Sequence, residues 1–279
     1  MFELHSTVQI LNNLQIAIEK KQPFSLIRFG DGGLKFMKAV QINNIDYLKN
    51  AELKESIPVV ESKKVVSLWS KYANQANYID TPAVYFSSNF WPRVKNKKMV
   101  PATTRVLEVC MQWESIYQKT KISTARPFCN PDVNFLALVH SSSKKTLLSV
   151  LRERKICVIS IYPKIDCLEE ITSASSFLKI NDIYQNQFAK DFVRIIKLIE
   201  NPDFVSQFDL FLVAAGELGR LYSGIIAQNS GRAFDIGSAV SFFQERKIPS
   251  RLEPFLKPHA SNPMLLEFTK QSYKYKDFI

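Results

Sequence analysis

The sequence predicts an α/β protein in which helices cover both faces of a mostly parallel β-sheet. Apolar strand candidates alternate with helical segments from residue 24 to residue 237, which is the order that produces parallel strands. The segments 155–161 and 208–215 are short and largely apolar, as strands buried on both faces are. At 24–40 an apolar strand leads through a glycine-rich turn into a helix, which is the repeating unit of such sheets.

In the first half of the chain, Ser6 or Thr7 can cap a helix that ends near Lys21, and Pro23 separates it from the first strand. The strands predicted here, chosen for their β-branched and aromatic residues, are 24–29, 64–69 and 83–87. The predicted helices are 7–21, one that starts at Leu34, a short one that Pro58 ends, and 104–117.

In the second half, the predicted strands are 155–161, 208–215 and 231–237. The predicted helices are 144–154, 185–200 and 218–229, and the segment 133–139 fits a helix or a strand. No linker rich in proline, glycine or serine divides the chain, so residues 1–279 are expected to form a single domain. Four prolines after residue 245 predict an irregular C-terminal tail at 246–279.

The chain is basic, with a formal net charge of +11, which favours anionic partners such as nucleotide phosphates or an anionic membrane face. The alternative is a solvated basic surface, because the charges are scattered. Net charge is the only sign of nucleic-acid binding, so the protein is not expected to bind nucleic acid. The four cysteines form no CxxC pair and predict reduced core thiols. Without a secretory signal or a long apolar run, the expected location is cytoplasmic.

Candidate chemistry lies where predicted strands end, since parallel sheets bind ligands at the carboxyl ends of their strands. After the first strand, Arg28 can bind a phosphate and Asp31 can hold a metal ion or a sugar hydroxyl. The glycines around Asp31 allow close approach of a ligand to the backbone. The alternative is a tight turn with a surface aspartate.

Two further strand ends carry polar residues. Gly216 and Glu217 follow the strongest strand and precede a helix, so Glu217 can act as a base or stabilise the helix dipole instead. Asp235 follows the last strand and can line a site or cap the next helix. Arg126, next to Pro127, is a candidate diphosphate ligand or an ordinary surface arginine.

Several of these stretches together resemble the GT-D glycosyltransferases. The stretch 24–32, FSLIRFGDG, is similar to the "RFGDGE" signature of that family. The segment 209–216 with 233–237 resembles its C-terminal "DLILIALG … AIDIG" half, and 124–128 stands where the family tends to have a Thr-Arg-Pro loop. The islands of similarity span roughly residues 20 to 245, in the family's order.

The resemblance implies a Rossmann-like fold and the transfer of a sugar from a nucleotide donor, typically UDP-linked, to a growing glycan. Together with the polar residues at three strand ends, it leads to the hypothesis that Arg28, Phe29, Gly30, Asp31 and Gly32 bind the donor and Arg126 stabilises the diphosphate. Gly216, Glu217 and Asp235 would line the opposite wall, with Asp31 and Glu217 as catalytic candidates. The family's signature acids engage Mn²⁺ or Mg²⁺. Here Asp31 is carried over as the metal ligand, but Gly33 replaces the glutamate. One carboxylate makes a poor site for these ions unless the diphosphate supplies the remaining oxygens.

These observations lead to a glycosyltransferase acting on a glycan, glycolipid or glycoprotein, in surface-polysaccharide, lipopolysaccharide or glycoprotein assembly. Peripheral contact with the anionic inner face of a membrane is consistent with the basic charge. The alternative from another class is a nucleotide- or glycan-binding protein that has lost activity, which the replacement by Gly33 motivates. A Rossmann-type methyltransferase that uses the turn at 214–219 ranks lower, because that turn lacks the GxGxxG order.

Overall fold

The computed structural model describes residues 4–5, 7–28, 36–37, 39–40, 42–55, 57–80, 122–123, 147–181, 187–237, 240 and 244. Its strands are β1 (Leu4–His5), β2 (Phe24–Arg28), β3 (Tyr78–Asp80), β4 (Ile122–Ser123), β5 (Lys155–Ser160), β6 (Ala174–Lys179), β7 (Leu210–Val213) and β8 (Arg232–Asp235). They form an eight-stranded sheet in the order β1-β4-β3-β2-β8-β7-β5-β6. Each neighbouring pair is parallel, which confirms the predicted fold class.

Helices connect these strands. They are α1 (Thr7–Glu19), α2 (Ile45–Glu55), α3 (Ser62–Gln75), α4 (Leu147–Leu151), α5 (Asp166–Ile171), α6 (Gln187–Ile199), α7 (Pro202–Ser206) and α8 (Gly219–Gln228). Short 3₁₀ helices at Val59–Glu61 and Gly216–Leu218 precede α3 and α8. Asn201 caps α7 by accepting a hydrogen bond from the Asp203 amide, and Pro202 occupies its first turn, as helix starts favour.

The central strands are apolar along most of their length because both of their faces are covered. Every residue of β2, β7 and β8 is buried. Along β7, Leu210 and Leu212 point to one face, whereas Phe211 and Val213 point to the other, as the two-residue period of a strand requires. Burying one such side chain completely contributes about 1.5–3 kcal/mol. The two faces therefore carry separate hydrophobic cores.

The helices divide between these two cores according to the direction of the crossover. Helices α3, α6 and α8 pack on the face of Phe211, in connections that run toward the β1 side of the sheet. Helices α1 and α5 pack on the opposite face, in connections that run toward β6. This arrangement is the one that crossovers of a single hand produce. Since β5 and β7 are neighbours whose connections leave on opposite faces, their carboxyl ends form a topological switch point, where sheets of this kind bind ligands.

One predicted strand is wrong. Residues 64–69 belong to α3, because Val65, Trp69 and Tyr72 are buried at the helical spacing of four and seven residues, while Lys63 and Lys64 are exposed. The adjacent β-branched residues gave a misleading local strand signal, which packing against α8 overrides. The strand of this region is β3, which was not predicted.

The other main predictions in the described ranges agree in type. Helix α6 and strands β2, β5, β7 and β8 lie within the predicted segments. Helix α5 and strand β6 were not predicted. β6 lies at the edge of the sheet, where its residues alternate in exposure and the apolar signal is weak. The predictions for 83–87, 104–117, 133–139 and 246–279 lie outside the described residues, and the single-domain assignment stays a prediction.

Candidate active site

The predicted strand ends meet at the carboxyl edge of the sheet. β2 ends at Arg28 and pairs with β8, which ends at Asp235. β8 pairs in turn with β7, with Asp235 opposite Val213, and the chain continues from β7 into Gly216. The residues at the carboxyl ends of β2, β7 and β8 therefore lie at one edge of the sheet.

Backbone and side-chain contacts join Arg28 directly to the end of β8. The Arg28 amide donates to Asp235 Oδ2 at 3.4 Å, and Arg28 Nη1 donates to the carbonyl oxygen of Ile236 at 2.5 Å. The second carboxylate oxygen, Asp235 Oδ1, accepts from the Gly237 amide at 3.0 Å. Arg28 is 7% exposed and Asp235 is 3% exposed. Both side chains are therefore buried and held by hydrogen bonds at this edge of the sheet.

Burial and positive charge act in opposite directions on Asp235. Burial raises the pKa of its carboxyl above the ordinary value, and the guanidinium groups of Arg28 and Arg220 with the amides of Arg28 and Gly237 lower it, so that the net pKa is raised. Desolvation disfavours the charged form of a carboxyl group, and nearby cations restore it. The arginines and amides therefore offset part of the free-energy cost of burying the Asp235 carboxylate.

Arg220, in the first turn of α8, links Glu217 to the same edge of the sheet. Its Nε donates to the carbonyl oxygen of Arg28 at 2.7 Å, and its guanidinium forms an ion pair with Glu217. The guanidinium carbon also lies 4.7 Å from the centroid of the Trp69 ring on α3, within the range of a cation–π contact. We call Arg28, Glu217, Arg220 and Asp235 the carboxyl-edge cluster.

Glycines make the close packing of this cluster possible. Gly237 has φ +49°, and a Cβ there would overlap the Arg28 guanidinium. A Cβ at Gly219 would lie 3.3 Å from Asp235 Oδ2, closer than most such contacts. Gly216, with φ +52°, turns the chain from β7 toward α8. At Gly216 and Gly237 the left-handed conformation favours glycine over other residues.

The structure thus brings together Arg28, Glu217 and Asp235, and it places Gly216 at the entrance to α8. Sequence reasoning assigned no role to Arg220, and it considered Trp69 as an aromatic residue that could stack on a base or sugar. The available signal was the spacing of Glu217 and Arg220, three residues apart at the start of an apolar helix. Phe29, Gly30, Asp31, Gly32 and Arg126 lie outside the described residues, and their roles stay predictions.

The described carboxylates do not form a metal site. Within the part of the chain that the structure describes, no three His, Cys, Asp or Glu side chains converge as ligands. Both oxygens of Asp235 accept backbone N–H groups, and Glu217 pairs with Arg220, so cationic and N–H partners occupy the positions that a divalent ion needs. Asp31 lies outside that part of the chain, and the predicted Mn²⁺ or Mg²⁺ stays a prediction.

A cavity of about 450 Å³ lies at the opposite, amino-terminal edge of the sheet. It is lined by neutral residues, namely Asn13, Ile16, Ala17, Gln22, Pro23, Phe24, Ala76, Asn77 and Tyr78. The strongest ligands of a diphosphate are cationic side chains, and none of these lining residues carries a positive charge. The charged residues of the carboxyl edge therefore identify the candidate site better than cavity size does.

Two other expectations concern cysteines and membranes. Cys157 is a free thiol buried in β5, and burial raises the pKa of that thiol, as expected for an unreactive core cysteine. Among the described helices, none combines the length and the apolar character that crossing a bilayer requires.

Comparisons with known proteins agree with this architecture. Residues 5–243 match the GT-D-like family, described as a GT-D fold-like domain. A solved structure described as a new glycosyltransferase (DUF1792) from Streptococcus sanguinis is 14% identical, with a TM-score of 0.51, and the alignment covers 88% of this chain and 85% of that one. No curated protein matches the sequence significantly.

A second similar structure is described as showing that the highly conserved domain of unknown function 1792 has a distinct glycosyltransferase fold. It is 13% identical, with a TM-score of 0.51, and the alignment covers 88% of this chain and 82% of that one. At these identities the likeness shows a shared fold, and with the family match it supports a glycosyltransferase in general terms. The match over residues 5–243 confirms the predicted family: the chain belongs to the GT-D-like family.

Proposed function

We propose that this protein is a glycosyltransferase that moves a sugar from a nucleotide-sugar donor, in the first instance UDP-linked, to a growing glycan. The observation that supports this most is the carboxyl-edge cluster, in a chain whose family has a glycosyltransferase fold. Parallel α/β sheets bind ligands at this edge.

The cluster is suited to a leaving diphosphate. Sugar transfer leaves negative charge on the nucleotide, and preorganised cations and N–H groups stabilise such charge in a site with little water. Arg28, Arg220 and the positive end of the α8 dipole place cationic and N–H groups at this edge, where Glu217 and Asp235 offset part of the positive charge. In the proposal, Arg126 and the backbone at Phe29, Gly30 and Gly32 contact the donor directly.

The acids have different proposed roles. Glu217 has the more accessible carboxylate of the two described acids, with 13% of its side chain exposed, and it is the candidate for contact with the acceptor hydroxyl. Asp31 is the second catalytic candidate. Asp235 is buried and holds Arg28 and Gly237, so it acts through those residues and lines the wall opposite the donor.

The wider assignments are part of the proposal. The acceptor would be a glycan, glycolipid or glycoprotein, in the assembly of surface polysaccharide, lipopolysaccharide or glycoprotein, on the cytoplasmic side. The net charge of +11 supports contact with an anionic membrane face. A divalent ion would have to be held by Asp31 and the donor diphosphate, because the described carboxylates are engaged by arginines and amides.

Calorimetric titration with UDP and UDP-sugars, with and without Mn²⁺, tests the proposal. We expect UDP to bind the folded protein, and we expect Asp31→Ala to lower turnover about 100-fold or more, as removal of an acid–base group does. Asp209→Ala, at the amino-terminal edge, is the matched control and should keep turnover near the wild-type value. A folded sample that binds no nucleotide would refute the donor assignment.

The replacement of the signature glutamate by Gly33 favours one second candidate, a nucleotide- or glycan-binding protein without activity. Nucleotide affinity without turnover across a broad panel of donors would support it over the transferase. S-adenosylmethionine belongs in the same titrations, because its failure to bind eliminates the methyltransferase alternative.

A further inference from the structure

We propose that Arg220 is a positioning residue of the donor site, which fixes the carboxyl end of β2 against the start of α8. The inference rests on the proposed function, because the chain enters the predicted donor-binding residues directly after Arg28. Arg220 joins elements far apart in the chain, since its partner carbonyl belongs to a residue 192 positions earlier.

Arg220 contacts the last residue of β2. Pairing between β2 and β8 ends at Leu26 and Phe234, so on that side Arg28 lies beyond the last paired position, whereas on the other side it is opposite Asp80 of β3. The Arg28 carbonyl oxygen accepts from Arg220 Nε at 2.7 Å. A side chain of α8 thus supplies a hydrogen bond at the end of the strand, which satisfies a buried carbonyl group.

Three groups hold the Arg220 guanidinium in place. Glu217 forms an ion pair with it, the Trp69 ring lies under it at 4.7 Å, and the Arg28 carbonyl accepts from it. Only 3% of Arg220 is exposed. A planar guanidinium can stack on a ring while its N–H groups donate in fixed directions within that plane, whereas the ammonium group of lysine has three donors but no plane to stack. These contacts orient the residue toward the protein, which is why we assign it a positioning role.

Movement of Arg28 would also reach the other side of the cluster. The Arg28 amide donates to Asp235, and Asp235 accepts from the Gly237 amide. Loss of the Arg220 contact should therefore loosen the ends of β2 and β8 together. A misplacement of about 1 Å can reduce the efficiency of a binding or catalytic site about 100-fold.

The test compares Arg220→Lys with Arg232→Lys. Arg232 is also a buried arginine that donates to backbone carbonyls, at 2.8 Å to Asp209 and 2.5 Å to Phe208, but it lies at the amino-terminal end of β8. We expect Arg220→Lys to weaken UDP binding at least tenfold, and Arg232→Lys to leave it within about twofold. Equal weakening by both variants, or none by Arg220→Lys, would overturn the inference.

Amide hydrogen exchange in the free protein gives a readout that needs no ligand. We expect Arg220→Lys to accelerate exchange at the Arg28 and Gly237 amides, and Arg232→Lys to leave both unchanged. Unchanged exchange in Arg220→Lys refutes the positioning role. If wild type binds no nucleotide but Arg220→Lys still accelerates exchange, the proposed function fails while Arg220 is shown to fix β2. Should Arg220→Lys not fold, Trp69→Phe replaces it, with the same two amides expected to exchange faster.

Discussion

The polar groups buried at the two ends of β8 find their partners in different ways. At the amino-terminal end, buried Arg232 donates to the carbonyl oxygens of Phe208 and Asp209. The Asp209 carboxylate accepts from the Lys155 amide at 2.8 Å. Burial lowers the pKa of Arg232, and the charge of Asp209 raises it. Here an arginine closes a strand end mainly by bonding to neutral backbone groups.

At the carboxyl end, charged side chains contact one another. Arg220 pairs with Glu217, the Arg28 amide donates to Asp235, and glycines at 219 and 237 leave room for the side chains. Arg28, Arg220 and Asp235 are buried and Glu217 is partly buried, so this end buries more charged groups than the other. Their desolvation is costly unless each is paired. In the proposed function, this concentration of charged groups at the carboxyl end serves a charged ligand.

The largest expected effect is a difference in stability between a variant of Glu217, at the carboxyl end, and a variant of Asp209, at the amino-terminal end. Glu217→Ala leaves buried Arg220 without its carboxylate partner and should lower the free energy of unfolding by about 3–5 kcal/mol. Asp209→Ala removes one hydrogen bond to a backbone amide and should cost about 0.5–1.5 kcal/mol. Urea denaturation measures both. Equal losses would remove the energetic distinction between the two ends.

A glycine pair sharpens the comparison. A Cβ at Gly231, beside the amino-terminal end, would lie 2.9 Å from the carbonyl oxygen of Ile226, and one at Gly237 would overlap the Arg28 guanidinium. We expect Gly231→Ala and Gly237→Ala each to cost about 1–3 kcal/mol of stability. Only Gly237→Ala should also weaken UDP binding, as calorimetry measures. Weaker binding by Gly231→Ala would mean that general destabilisation explains both.

The smallest expected effect concerns the pH dependence of stability at Asp235. Because its folded-state pKa is raised above 3.8, its stabilising contribution is complete below that pH and is lost as pH rises through the folded pKa. Asp235→Asn has no such titration, so its Tm relative to wild type should increase with pH. A pKa difference of one between the folded and unfolded states corresponds to about 1.4 kcal/mol. Thermal melts across the acidic range measure this, and a constant Tm difference would contradict it.

Local patterns were enough for the elements with strong periodicity or continuous apolar character. α6 was predictable because Phe188, Phe192 and Ile195 follow the helical period, and β5 because a continuous apolar run of mostly β-branched residues follows Lys155. The same reasoning failed at 64–69, where β-branched residues lie in a helix that packs on α8. Local propensity decides an element only when packing does not oppose it.

Some residues of the candidate site could likewise be predicted from the sequence, and one could not. Arg28, Gly216, Glu217 and Asp235 could be named from the sequence because each follows an apolar strand, and the edge they share follows from a parallel sheet. Arg220 could not, because its importance lies in contacts with Arg28 and Trp69 that no local pattern encodes.

The sequence by itself determined that this protein is a parallel α/β fold of the GT-D type, and it marked the strand ends where chemistry can occur. Only the tertiary structure decided that β2 lies beside β8, which joins Arg28 to an aspartate 207 residues away. The physical reason is that hydrophobic periodicity is a local property, whereas strand order and the pairing of buried charges depend on which distant surfaces pack together.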